Sequence, residues 1–132
     1  MCQMLLSINP EYVESILQGI KRYEYRKFRC REDVDKIIIY ATAPQKKVVA
    51  EAEIESIVED EVLNVWRKTK QYSGITYSFF RKYYKGKKKA VAYQLKNVVV
   101  YEEPRTLKSI GVKCAPQSYC YITTLKEEEL VV

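Results

Sequence analysis

Residues 48–55 read V-V-A-E-A-E-I-E, a strict period of two. Val48, Ala50, Ala52 and Ile54 fall on one face and Glu51, Glu53 and Glu55 on the other, the pattern of a strand with one buried side. A strand must find partners along its edges, and the chain offers several. D-K-I-I-I-Y-A-T (35–42) is apolar on both faces and ends at the turn A-P-Q-K (43–46). K-A-V-A-Y-Q-L-K-N-V-V-V-Y (89–101) reads as a long strand, and S-Y-C-Y-I (118–122) as a last short one.

Helices are fewer. In S-I-N-P-E-Y-V-E-S-I-L-Q-G (7–19), Asn9 is a good N-cap, Pro10 suits the first helical position, and Glu11 complements the positive helix end. Tyr12, Val13, Ile16 and Leu17 make its apolar stripe, and Gly19 supplies the stop. The stretch 59–72 is expected to be helical, with Val62, Leu63 and Trp66 inward. A short helix capped by Thr76 or Ser78 should carry Phe79, Phe80, Tyr83 and Tyr84 on one side and end at Gly86, and T-L-K-S-I-G (106–111) should form one further turn. Strands outnumber helices and no strand–helix–strand rhythm appears. The expectation is therefore an α+β domain, a small mixed, bent or closed β-barrel with helices covering its ends. At 132 residues the chain holds one such domain, residues 1–132, with residues 126–132 as a loosely held tail.

Charge is distributed unevenly. The net charge is +6, with six basic residues and one acid in 21–31 and six basic residues and no acid in 81–89. Acids gather at 51–61 and 127–129. A basic face suits an anionic partner. There is no histidine, which removes the usual base near neutral pH. The four cysteines lack metal-ligand spacing, so no metal and no cofactor is expected. With no signal peptide and no long apolar run, the expectation is a cytoplasmic protein that does not enter a membrane.

The densest charge stands where the first helix stops. Residues 19–26 read G-I-K-R-Y-E-Y-R, and the period changes there to two. Glu24 and Arg26 project from one face of a strand, about 7 Å apart, while Lys21 lies at the turn aimed over the strand's end. An acid between two cations stays ionised, and the trio can grip a polar ligand through charge-assisted hydrogen bonds. Arg26 offers a planar fork for phosphate or a base edge. Equally, the same spacing describes a surface ion-pair ladder worth about a kcal/mol or less.

This stretch resembles the signature G-x-K-x-x-E-x-R of the ASCH domain family, with Gly19, Lys21, Glu24 and Arg26 at all four positions. The order of the surrounding elements is similar over roughly residues 4–122. The resemblance implies a PUA-like fold and a cleft that receives nucleic acid. Some members of that family are enzymes. One group hydrolyses N4-acetylcytidine with a lysine, a threonine and a glutamate; Lys21 matches the lysine, but Glu24 stands at the threonine position and residues 71–76 offer no acid. Another member is a ribonuclease.

The expected partner is RNA or other single-stranded nucleic acid, or a modified nucleoside. Lys21, Glu24 and Arg26 should grip it, with Tyr40, Thr42 and Gln45 lining the cleft from the end of the second strand and its turn. Arg81, Lys85, Lys87 and Lys88 in R-K-Y-Y-K-G-K-K-K should supply auxiliary phosphate contacts. S-I-N-P places Ser7 and Asn9 near the cleft, with capping the better reading for Asn9, and Gln117, Ser118 and Tyr119 are candidates to close the cleft from the last strand. If the chain is an enzyme, Lys21 and Glu24 carry the chemistry: a small hydrolase of an N4-acylated pyrimidine nucleoside, or a ribonuclease. A protein-interaction module working through the acidic face is the remaining alternative.

Overall fold

A computed structural model describes residues 2–123. The tail expected at 126–132 lies outside the described residues. Six strands form one sheet: β1 (Cys2–Ile8), β2 (Tyr23–Arg26), β3 (Val34–Ala41), β4 (Lys47–Glu61), β5 (Lys89–Arg105) and β6 (Tyr119–Thr123). Their order across the sheet is β2-β5-β4-β3-β1-β6, mixed through one parallel pair, β1 with β3. Among the described residues three α-helices accompany it: α1 (Pro10–Leu17), α2 (Val62–Thr69) and α3 (Tyr77–Tyr83).

The fold is thus α+β, but the expected barrel is not closed by strand pairing. β2 and β6 are the two edges, and among the described residues no backbone ladder joins them. β2 is only four residues long and pairs with β5 alone, so there is too little edge to zip the cylinder shut. The sheet nevertheless curls until its ends meet through a side chain: Arg26 on β2 donates to the Ser7 carbonyl on β1 and to Ser118 just before β6.

Three packed layers follow from strand alternation. Ile37, Ile39 and Ala41 of β3 join Met4, Leu6 and Ile8 of β1 on the concave side, where Val13 and Ile16 of α1 cover them. Ile38 and Tyr40 point the opposite way and pack with Leu5 and Val48 beneath the 107–112 segment. Tyr25, Ala90 and Ala92 meet Val65, Phe80 and Tyr84 of the α2–α3 pair. Trp66 of α2 lies against α3, with ring centroids 5.3 Å from Tyr77 and 4.9 Å from Phe80.

Several local expectations hold: Asn9 caps α1 by accepting from the Glu11 amide, and Thr76 caps α3 through Phe79. Three differ. β4 runs on to Glu61 because β5 pairs with it throughout, Glu59 opposite Val91 and Glu61 opposite Lys89, so α2 begins at Val62. That later start turns Val65 and Thr69 inward and leaves Leu63 exposed. A register shift between Val48 and Ala50 sends Val48 to one core layer and Val49 with Ala50 to the other. β1 was not anticipated at all; C-Q-M-L-L-S-I is buried on both faces between β3 and β6 and so shows no alternation.

Candidate functional site

Gly19, at φ +78°, turns the chain out of α1 and into β2. Glu24 and Arg26 then face the concave side, in register with Tyr93 and Val91 of β5, and Tyr25 faces α3. Lys21 lies in the connection before β2, tied by its amide to the Ser15 carbonyl.

The side chains of Lys21, Glu24 and Arg26 meet. Glu24 Oε2 accepts from Arg26 Nη2 at 2.8 Å and Nε at 3.2 Å. Lys21 Nζ stands 3.9 Å from Glu24 Oε1 and donates to the Ser73 carbonyl at 2.7 Å. Lys21 is only 3% exposed and Glu24 7%, so this is a buried cluster rather than a surface ladder. Tyr25 presents its ring to the Lys21 ammonium at 4.9 Å and Tyr12 at 5.7 Å.

Burial pushes the Lys21 ammonium below the ordinary lysine range. Glu24 works in the opposite direction by favouring the proton, Arg26 adds to the depression, and burial prevails. Burial likewise pushes the Tyr25 hydroxyl up to about 12, although its hydrogen bond to Thr69 partly offsets that.

Arg26 is not a free fork. Nε and Nη2 reach Glu24, Nη2 also reaches the Ser7 carbonyl at 3.0 Å, and Nη1 reaches the Ser118 hydroxyl at 3.0 Å and its carbonyl at 3.3 Å. A guanidinium has five N–H donors, and these contacts use all of them. The edge expected to take phosphate is spent on holding β1, β2 and the approach to β6 together. What a ligand can still meet is the face of the guanidinium plane.

Above the trio opens a cavity of about 200 Å³. Ser7 and Asn9 contribute its polar rim, and Tyr12, Tyr25, Phe79 and Tyr83 its walls. Among the described residues nothing donates a hydrogen bond to Glu24 Oε1, which is the open acceptor on its floor.

The remaining expected residues are placed elsewhere. Tyr40 is buried with Leu5 and Val48 on the far side of the sheet, because alternation along β3 points it away from the concave face. Thr42 donates its amide to Ile8 and Gln45 is exposed in the turn; neither lines the cavity. Arg81 is exposed on α3, the helix that contributes Phe79 and Tyr83 to the cavity, and Lys85 is exposed in the turn just past its end. Lys87 and Lys88 are exposed in the turn after it. Ser118 does join the site, through Arg26.

Several contributors lie outside the expected set, Tyr12, Tyr25 and Tyr83 among them, and two are instructive. Phe79 was read as core; instead Phe80 takes the buried position and Phe79 remains 44% exposed at the cavity. Phe79 and Phe80 stand about 100° apart round the helix, and the pattern alone does not say which of them the core takes. The second is the Ser73–Gly74 turn, for which the sequence holds no local sign.

Gly74 presses on Lys21. A Cβ there would lie 2.5 Å from Lys21 Cβ, 2.7 Å from Cγ and 2.9 Å from Cδ, and its φ is +68°. The lysine stem cannot swing aside while Nζ is anchored to Ser73 one residue away. Gly74→Ala is therefore expected to destabilise by more than the roughly 1–2 kcal/mol that a left-handed non-glycine costs. Urea unfolding checks it; a loss under about 1 kcal/mol would mean that the turn shifts freely and does not hold the lysine.

The pattern of the family described as ASCH domain matches residues 6–105. The crystal structure of ASCH from Zymomonas mobilis superposes with a TM-score of 0.82 at 30% identity, covering 98% of this chain and 91% of that one. A mutant of the same protein gives 0.81 at 29%, covering 98% and 92%. An ASCH domain-containing ribonuclease of Zymomonas mobilis is 30% identical over 96 residues, 72% of this chain and 65% of that protein. Large ribosomal subunit protein uL22 of Ureaplasma parvum serovar 3 is 28% identical over 120 residues, 90% of this chain. The chain spans only 39% of that ribosomal protein's length.

Proposed function

Because the chain belongs to the ASCH domain family, whose pattern covers residues 6–105, we propose that it binds single-stranded RNA by seating one unpaired base in the cleft above Glu24. The observation that carries this reading is the cleft's construction. Aromatic rings of Tyr12, Phe79 and Tyr83 stand around a floor where one carboxylate oxygen is clamped and the other left open. Unpaired bases are recognised in this way, by stacking on aromatic side chains and hydrogen bonding along an edge. At about 200 Å³ the cavity is smaller than a typical drug-sized pocket and suits a single ring system. Glu24 Oε1 accepts from a base amino or imino group, as carboxylates do from exocyclic amines.

In this reading Lys21 and Arg26 hold Glu24 rather than phosphate. The phosphate contacts fall to Arg81 on α3 and to Lys85, Lys87 and Lys88 beyond it, all solvent-exposed. Such contacts give affinity without sequence information and weaken with salt as counterions are no longer released to advantage.

The ribonuclease among the relatives supports a second reading, cleavage of the bound strand. The depressed Lys21 ammonium, 3.9 Å from Glu24 at the cleft floor, is the group here best suited to give up a proton. Hydrolysis of an N4-acylated pyrimidine nucleoside would use the same two residues.

The test is titration of a labelled single-stranded RNA at two salt concentrations, with the unaltered protein and Phe79→Ala. Stacking is worth about 1–3 kcal/mol per base, so the variant should bind roughly tenfold more weakly or worse while folding normally, since Phe79 is already half exposed. Affinity that is flat with salt and unchanged in the variant would overturn the RNA reading. New RNA ends appearing during the titration, lost in Lys21→Met, would add the nuclease.

A further inference from the structure

The base cavity has a neighbour. A second hollow, of about 330 Å³, opens where the two sheet edges face each other without pairing, between residues 27–30 leaving β2 and residues 117–119 entering β6. Arg26 and Tyr83 line both hollows and form the wall between them.

The second hollow is furnished for the same kind of guest. Phe28 lines it and is 63% exposed, the most exposed large hydrophobic among the described residues, so core packing does not explain its position. Tyr119 offers a further partly exposed ring opposite, braced edge-on by Tyr121 with centroids 5.7 Å apart. Lys27 also lines the hollow and holds its ammonium 4.7 Å from the centre of the Tyr83 ring, which puts a cation beside the dividing wall. Among the described residues no carboxylate lies within 4 Å of that ammonium. The dividing guanidinium has no donor left for a ligand, but its plane can be stacked upon.

Resting on the RNA reading above, we propose that the second hollow seats the neighbouring nucleotide, its base against Phe28 and the linking phosphate at Lys27, so that the ligand is a strand of at least two nucleotides and not a free nucleoside. Two aromatic chambers on either side of a thin wall, with a free cation at the wall, match the repeat of base, phosphate, base along a single strand.

The measurement is calorimetric titration of the full chain at low salt with nucleoside monophosphates, with dinucleotides built from them, and with an eight-nucleotide RNA, alongside Phe28→Ala and Lys27→Ala. Both side chains are exposed, so both variants should keep the thermal unfolding of the unaltered protein. The expected result is a dinucleotide bound at least tenfold more tightly than the better of its two mononucleotides, a ratio that falls to about one in Phe28→Ala and shrinks severalfold in Lys27→Ala. A ratio near one in the unaltered protein, or a ratio untouched by both substitutions, overturns the second chamber while the RNA reading stands on the eight-nucleotide titration. Absence of binding to every nucleotide and to the RNA overturns both.

Discussion

Glu24→Gln is expected to lower folding stability by about 3–5 kcal/mol, the range for breaking a buried ion pair from one side. The substitution keeps the size of the side chain and removes only its charge. Lys21, on one side at 3.9 Å, and Arg26, on the other at 2.8 Å, are then two enclosed cations facing each other without an anion. Urea unfolding at neutral pH reads the loss directly. The pH profile identifies its source. Folded Lys21 releases its proton at a lower pH than it does unfolded, because burial disfavours the charge. Between those two values the unfolded chain binds more protons, so stability rises with pH up to about 10.4, the ordinary lysine value. Glu24 is the group that favours the proton on Lys21; without it the lower limit falls and the window widens. The variant should therefore regain part of its deficit on going from neutral pH towards 10. Above about 10 the sign reverses for both proteins. Burial holds the Tyr25 and Tyr101 hydroxyls up to about 12, so the unfolded chain loses those protons first and stability falls. A loss under about 1 kcal/mol, or a deficit constant with pH, would show that water screens the cluster.

Arg26→Lys keeps the charge and should still cost about 2–4 kcal/mol, since hydrogen bonds to charged groups contribute about 1.5–3 kcal/mol each and an ammonium cannot span the same set. Its partners lie on three segments: Glu24 on its own strand, the Ser7 carbonyl on β1, and Ser118 before β6. Among the described residues β6 pairs with β1 alone, so the guanidinium is a main tie of that edge to the far side of the sheet, beside the bond that the Arg31 amide donates to the Tyr121 hydroxyl. Amide exchange separates this from general weakening. Protection in β6 should fall about 10–100-fold more than in the β3–β4 pair. Equal loss across the sheet would mean that the edge does not depend on the arginine.

Much of the local structure was legible in the sequence because its causes are local. The Asn9–Pro10 start, the Gly19 turn and the period-two placement of Glu24 with Arg26 each depend on neighbours in the chain, and all three stand in the structure. What lay beyond reach has partners far away. The burial of Lys21 depends on Ser73 and Gly74, 52 residues on in the case of its hydrogen bond. The commitment of Arg26 depends on Ser118, 92 residues on. A charge on a strand looks solvated until the segment that covers it is known. Tyr40 shows the reverse error: a polar-tipped side chain at a strand end reads as cleft-lining, yet alternation along an apolar strand gives two buried faces and only the fold says which of them a site adjoins. Closure of a barrel is likewise a property of edge lengths, and four residues of β2 are too few to reveal it by pattern.

The chain has one tryptophan, and its position makes it a gauge. Trp66 rests against Phe80 and Tyr77 on α3, and the same helix turns Phe79 and Tyr83 towards the cleft. Any guest that nudges α3 changes the surroundings of a single emitter. Its fluorescence, excited selectively above the tyrosine band, follows occupancy of the cleft without a label on either partner, and a Trp66→Phe protein supplies the blank.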